Sequence, residues 1–233
     1  MKNTIRRLTV LLLIAALMLS GCGGKETSVA GKVEPLPTTE PAVEDTPLSM
    51  GRIEGGIYTN DYAGFGCKLD SNWTYASAEE LQDMPDDVQE LVEGSELADN
   101  MDVYPQLFDM QAENVNDLVN MNVVYTKIPM KERLAYAVLS EEQELEQVMA
   151  QKDMLAESYA QAGITLQSME IVTVNFLGEE HYAMYTVAET QDVPYYMVQL
   201  PNYDIGAYGV TLTISSFIED KTGEVLDLFY KVG

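Results

Sequence analysis

The chain has 233 residues, 38 acidic against 13 basic side chains, and a formal net charge of −25. That balance excludes a nucleic-acid binder, whose surface must carry a basic footprint. It equally excludes a domain held by its own surface on anionic lipid headgroups.

The first residues carry Lys2, Arg6 and Arg7, followed by an apolar stretch from Leu8 to Leu19 that only Thr9 interrupts. A basic head, a short apolar middle and small residues before a cleavage point read as a secretory signal. The apolar stretch falls short of the roughly 20 residues a bilayer span needs. It ends in Leu19-Ser20-Gly21-Cys22, which resembles the lipobox of bacterial lipoproteins. The resemblance implies a signal peptide over residues 1–21, cleavage before Cys22 and lipid attachment at Cys22. More than one acyl chain is then expected, because each buried CH₂ contributes only about 0.8 kcal/mol and one chain holds weakly. The implied location is the extracytoplasmic face of the cell membrane, with the membrane reached through the N-terminal lipid.

Residues 22–50 contain Pro35, Pro37, Pro41 and Pro47 among Thr, Glu and Ser, without apolar periodicity. They read as a disordered spacer. Residues 51–233 are long enough for one domain with a substantial apolar core. Once Cys22 is acylated, Cys67 is the remaining cysteine and an internal disulfide is excluded.

Within the domain, 55–60 and Phe65, Cys67 and Leu69 predict two opening strands. Ser77 and Glu80 form a capping box for a helix along Leu81, Met84, Val88, Leu91 and Val92, with a kink or break at Pro85. Phe108, Met110 and Ala112, a turn through Glu113 and Asn114, then Val119, Met121, Val123 and Tyr125 predict a hairpin with each set on one face. Ser140 and Gln143 cap one long helix from about Glu141 to Ala162, closed by Gly163. Four strands are expected at 168–176, 181–188, 194–200 and 208–217, joined too tightly to be anything but antiparallel. The end, GEVLDLFYKV, reads as a short helix docking Val225, Leu228 and Phe229.

Several segments together resemble small secreted proteins with a PsbP/Mog1-like fold, found as lipoproteins in gut Firmicutes. They are GGIYTNDYAGFGCKLDSNWTYASAEEL, NFLGEEHYAMYTVAE and LTISSFIEDKTGEVLDLFYKV. The resemblance implies an α+β domain, an αβα sandwich around a mainly antiparallel sheet. It implies no catalytic residue, since a fold does not carry a chemistry.

The residues support the same restraint. His181 is the one histidine, and Cys67 alternates with Phe65 and Leu69 as a buried small hydrophobe does. One histidine and one free cysteine make no zinc set, and 83–87 and 99–102 are acidic without calcium-loop spacing. No phosphate loop or GxSxG motif occurs. No cofactor is expected. With 38 acids, a pair of carboxylates remains the one route to an enzyme, a hydrolase of wall or glycan material. Most of the 14 tyrosines read as half-buried strand packing, while some can form a binding patch, because the ring and hydroxyl suit contact surfaces. Tyr196, Tyr203 and Tyr208 are the candidate binding residues, Tyr195 pointing to the opposite face from Tyr196. The function the sequence favours is therefore a surface-tethered binding or assembly module of the envelope. Its partner is expected to be an envelope protein or a small ligand, and not nucleic acid.

Overall fold

A computed structural model describes residues 47–92, 106–161, 163–202 and 206–233. The expected lipid site at Cys22, the leader and most of the spacer lie outside these residues, as do Tyr203 and the acidic stretch 99–102. Eleven strands and five helices are described, in an α+β arrangement with antiparallel pairing throughout.

The small sheet contains β1 (Arg52–Glu54), β2 (Ile57–Asn60), β3 (Phe65–Lys68) and β11 (Phe229–Lys231), in the order β1-β2-β3-β11. The large sheet contains β4 (Thr74–Tyr75), β5 (Gln106–Asn114), β6 (Val119–Lys127), β7 (Ile164–Phe176), β8 (Glu179–Thr190), β9 (Val193–Asn202) and β10 (Tyr208–Phe217). Its order is β4-β5-β6-β10-β9-β8-β7. The helices are α1 (Ala78–Val92), α2 (Met130–Tyr136), α3 (Glu141–Met149), α4 (Lys152–Gln161) and α5 (Thr222–Leu226).

The large sheet is the middle layer. One face meets the small sheet and α5, with Tyr58, Phe65, Cys67, Met121, Val123, Leu212, Ile214, Val225 and Phe229 in one core. The opposite face carries α3 and α4 over β7 and β8, and α1 over β5. Both helical contacts form their own clusters, Leu145, Leu155, Tyr159, Met184 and Met197 in one, Met84, Phe108 and Val124 in the other. The second outer layer of the sandwich is thus mostly strand. It is strand because GFGCK and FYK both present alternating side chains to the core, and pairing them closes the edge of β3.

Both predicted capping boxes form. Ser77 N–H donates to Glu80 Oε2 (2.8 Å) and Glu80 N–H to Ser77 Oγ (3.3 Å), with the same reciprocal pair between Ser140 and Gln143. Helix α1 runs through Pro85 without a break. The long helix does divide, at 150–151. Continuing the stripe of Leu145 and Val148 would bury position 152, which is lysine. The turn there lets the Lys152 amine donate to the Met169 carbonyl at 3.3 Å, and Leu155 and Tyr159 resume the buried face. The C-terminal helix stops at Leu226, and Phe229–Lys231 become β11. The β5–β6 turn falls at 115–118, after Glu113 and Asn114, and Asn114 Oδ1 accepts from the N–H groups of Asn116 and Asp117.

Phe108 does not share a face with Met110 and Ala112. A bulge between Phe108 and Met110 inserts Asp109 and reverses the parity, so Phe108 packs under α1 while Met110 and Ala112 face the small sheet. The Asp109 carboxylate turns to the small sheet. It accepts from Tyr58 Oη (2.5 Å), Asn60 Nδ2 (2.6 Å) and the Gly51 N–H (2.7 Å). Gly51 is required there, because a Cβ would stand 2.4 Å from the Tyr58 ring.

A candidate binding lane on the large sheet

Strand β10 alternates Val210, Leu212 and Ile214 with Thr211, Thr213 and Ser215. The first set faces the small sheet. The second faces the helical side, and all three are buried. The register continues this polarity across neighbouring strands. Gln111 pairs with Asn122, Asn122 with Thr213, and Thr213 with Gln199. Four neutral polar side chains therefore form one row over β5, β6, β10 and β9, spanning about 14 Å at the usual strand spacing. Gln106 and Thr126 are a further cross-strand pair on the same face. The row passes beside Phe108 and Val124 under α1 and runs on to Met184, which pairs with Gln199 and belongs to the cluster under α3 and α4.

Asn122 is 2% exposed, yet its Oδ1 has no hydrogen-bond partner. The same is true of Gln111 Oε1, Thr126 Oγ1, Thr186 Oγ1 and both amide atoms of Gln106. Buried polar atoms are nearly always paired, and leaving one unpaired costs about 1–3 kcal/mol. Gln199 Nε2 donates to Thr213 Oγ1 at 3.4 Å, and Tyr195 Oη lies 3.4 Å from Ser215 Oγ. Burial raises the Tyr195 hydroxyl well above its ordinary pKa, so it stays a neutral donor. The lane offers hydrogen bonds without formal charge. Chemically it can hold and orient a polar molecule; it contains no nucleophile–base pair.

The sequence-predicted tyrosines fall elsewhere. Tyr196 pairs with Ser216 at one end of β10, and Tyr208 pairs with Lys127 at the other. They share the parity of the small-sheet face, but eight residues of strand separate them, about 27 Å. Tyr195 does point to the opposite face, where it is buried against Phe217 at 5.1 Å between ring centroids. The lane residues escaped attention because alternating Thr and Ser in β10 reads as an ordinary solvated face; the repeated Asn120 and Asn122 in β6 was the available signal.

Cys67 is fully buried, and burial pushes its thiol up to about 11. His181 Nδ1 lies 2.8 Å from Glu141 Oε1 at the start of α3, and its ring packs edge-on to Phe176. The buried Asp109 faces Tyr58 and Asn60 rather than a second carboxylate. Desolvation raises its pKa, against the opposing hydrogen bonds. Among the described residues no three His, Cys, Asp or Glu side chains gather as a metal site, and no helix is long and apolar enough to cross a membrane. A groove of about 230 Å³ lies between Asn175, Gly178, Asp227 and Tyr230.

No protein family and no curated protein matches the sequence. Among solved structures, the chain is similar to the solution structure of cyanobacterial PsbP (CyanoP) from Synechocystis sp. PCC 6803. The TM-score is 0.43 at 11% identity, over 85% of this chain and 99% of that one. The α+β assignment here rests on the strand order and pairing described above.

Proposed function

We propose that this chain is a lipid-anchored binding module of the bacterial envelope, tethered at Cys22 and holding its ligand on the polar lane. The observation that carries the binding reading is the row Gln111–Asn122–Thr213–Gln199 with the unpaired atoms of Gln111 and Asn122. A face built to receive hydrogen bonds leaves them unpaired until the ligand arrives. The anchor rests on Leu19-Ser20-Gly21-Cys22 behind the apolar leader. The proline-containing spacer would then lift a strongly acidic domain away from headgroups that repel it.

The test uses the full chain isolated from its own membranes. Native mass spectrometry should find a small molecule that co-purifies with the wild type and is lost from Asn122→Leu, while both unfold cooperatively. Equal retention by both proteins would take the lane out of the function. Turnover of a glycan or peptide, abolished by one carboxylate substitution in a stable fold, would replace binding with hydrolysis. For the anchor, Cys22→Ser should abolish incorporation of a fatty-acid analogue, and unchanged labelling would defeat it.

A further inference from the structure

We propose that the open edge of β7 docks an extended, basic segment of another protein, which adds to the large sheet as an antiparallel strand. The site lies apart from the polar lane, which crosses β5, β6, β10 and β9. Among the described residues the two sheets end in the edge strands β1, β11, β4 and β7. β1, β11 and β4 are two or three residues long, whereas β7 has 13 residues. Short edges, prolines, charges and bulges are the usual guards against strand addition. In β7 they stand in the first half of the strand. There a bulge lies between Leu166 and Ser168, and the Lys152 amine donates to the Met169 carbonyl at 3.3 Å. Beyond Glu170 the strand reads Ile171-Val172-Thr173-Val174-Asn175, uncharged, without proline and rich in β-branched residues.

Which backbone groups face outward follows from the hairpin. Leu177 and Gly178 form its two-residue loop, so Phe176 and Glu179 exchange their hydrogen bonds and the pattern alternates from there. The N–H and C=O groups of Ile171, Thr173 and Asn175 therefore point away from β8. The bond from Lys152 fixes the same phase, since Met169 belongs to this set. Among the described residues nothing bonds to the outward groups of Ile171, Thr173 and Asn175. Thr173 and Asn175 are exposed, and Val172 and Val174 are half-buried. An added strand pairing with this stretch, about 17 Å long, would satisfy those groups and cover the two valines. Past Asn175 it would reach the groove between Asn175, Gly178, Asp227 and Tyr230, which gives the chain room to continue.

Charge selects the occupant. Glu170 borders one end of the open stretch and Asp227 lines the groove at the other, and both are exposed. The neighbouring cations are engaged, Lys152 on the Met169 carbonyl and Lys231 on Glu179 at 3.1 Å. A segment with Lys or Arg at each end and apolar side chains opposite the valines fits this edge. A second copy would instead set one formal charge of −25 against another.

The experiment is fluorescence anisotropy with the full chain in a non-ionic detergent. The probe is a labelled, end-blocked peptide, Lys-Thr-Val-Thr-Val-Thr-Lys. One control is the same peptide N-methylated at its threonines, and another carries Glu in place of Lys. With its valines opposite Val172 and Val174, the threonines oppose Ile171, Thr173 and Asn175, so methylation removes the N–H groups that the edge carbonyls would accept. The lysine peptide should bind saturably, and each control at least tenfold more weakly. Thr173→Pro removes an outward N–H that no strand of the sheet uses, and it should weaken the peptide about tenfold while unfolding stays cooperative. Should that variant fail to fold, Thr173→Lys changes an exposed side chain, sets a cation on the edge and should show the same loss. Equal binding of the N-methylated peptide, preference for the glutamate peptide, or unchanged binding by the folded variant would overturn the proposal. So would the absence of saturable binding. Sedimentation velocity of the peptide-free chain should show a monomer. A dimer abolished by Thr173→Pro would give the edge to a second copy and overturn the assignment to a basic partner.

Discussion

Thr126 is 2% exposed and its hydroxyl finds no partner. Replacing it with valine keeps the shape and removes the unpaired group. Thr126→Val should therefore stabilise the ligand-free chain by about 1 kcal/mol, read from urea unfolding. A loss of stability would mean that the hydroxyl is satisfied in the free protein. Asp109 behaves in the opposite sense from an ordinary surface acid. Desolvation raises its folded pKa above the unfolded value, so its protonated form is favoured by folding. Its stabilising contribution is complete below the ordinary carboxylate pKa and is lost as pH rises through the raised one. Tyr58 and Tyr125, which face it, are held neutral by burial across this range. The stability difference between wild type and Asp109→Asn should accordingly grow in favour of wild type as pH falls from neutral into the acid range. A difference that does not change with pH would place the folded Asp109 pKa at its ordinary value. At this scale the sequence was readable where a residue agrees with its neighbours. Cys67 between Phe65 and Leu69 is buried as its alternation predicts. Asp109 was not readable, because a bulge leaves no pattern in a single strand until the register with β6 is known.

Hairpins set the register of the lane, and their turns differ in quality. The β7–β8 loop, Leu177-Gly178, and the β8–β9 loop, Gln191-Asp192, both hold positive φ at each central residue. That is the geometry of two-residue hairpins, for which Asn-Gly is the preferred pair. Gln191 at φ 51° and Asp192 at φ 63° occupy it without glycine. The double change Gln191→Asn, Asp192→Gly should stabilise the chain by about 1 kcal/mol, measured as a shift of the denaturation midpoint with unchanged slope. A neutral or destabilising result would show that Gln191 or Asp192 makes contacts worth more than the relieved backbone strain. Element by element, the hairpin strands along the chain and the caps at Ser77 and Ser140 could be read from periodicity and turn chemistry, whereas the pairing of β6 with β10 could not. The division of the long helix turned on Lys152, a single residue at odds with its stripe. The last strand turned on which apolar edge Phe229 could reach, and that depends on β3. Burial of the helical face of β6 and β10 was hidden for a different reason: alternating Thr, Ser and Asn has the same period whether water or protein covers it.

For the whole molecule, the dominant electrostatic fact is self-repulsion. The formal charge is −25, and cleavage of the proposed leader, with Lys2, Arg6 and Arg7, would make the chain more negative still. The ion pairs Arg52–Asp61, Lys221–Asp117 and Lys231–Glu179 are solvent-exposed to varying degrees, and such pairs contribute little to stability. Salt weakens both the pairs and the repulsion, but the repulsion involves many more charges and extends over a longer distance. The melting temperature should therefore rise as sodium chloride increases from about 0.02 M to about 0.5 M, where the Debye length shortens to a few ångströms. A flat or falling melting temperature would mean that local pairs outweigh the net charge.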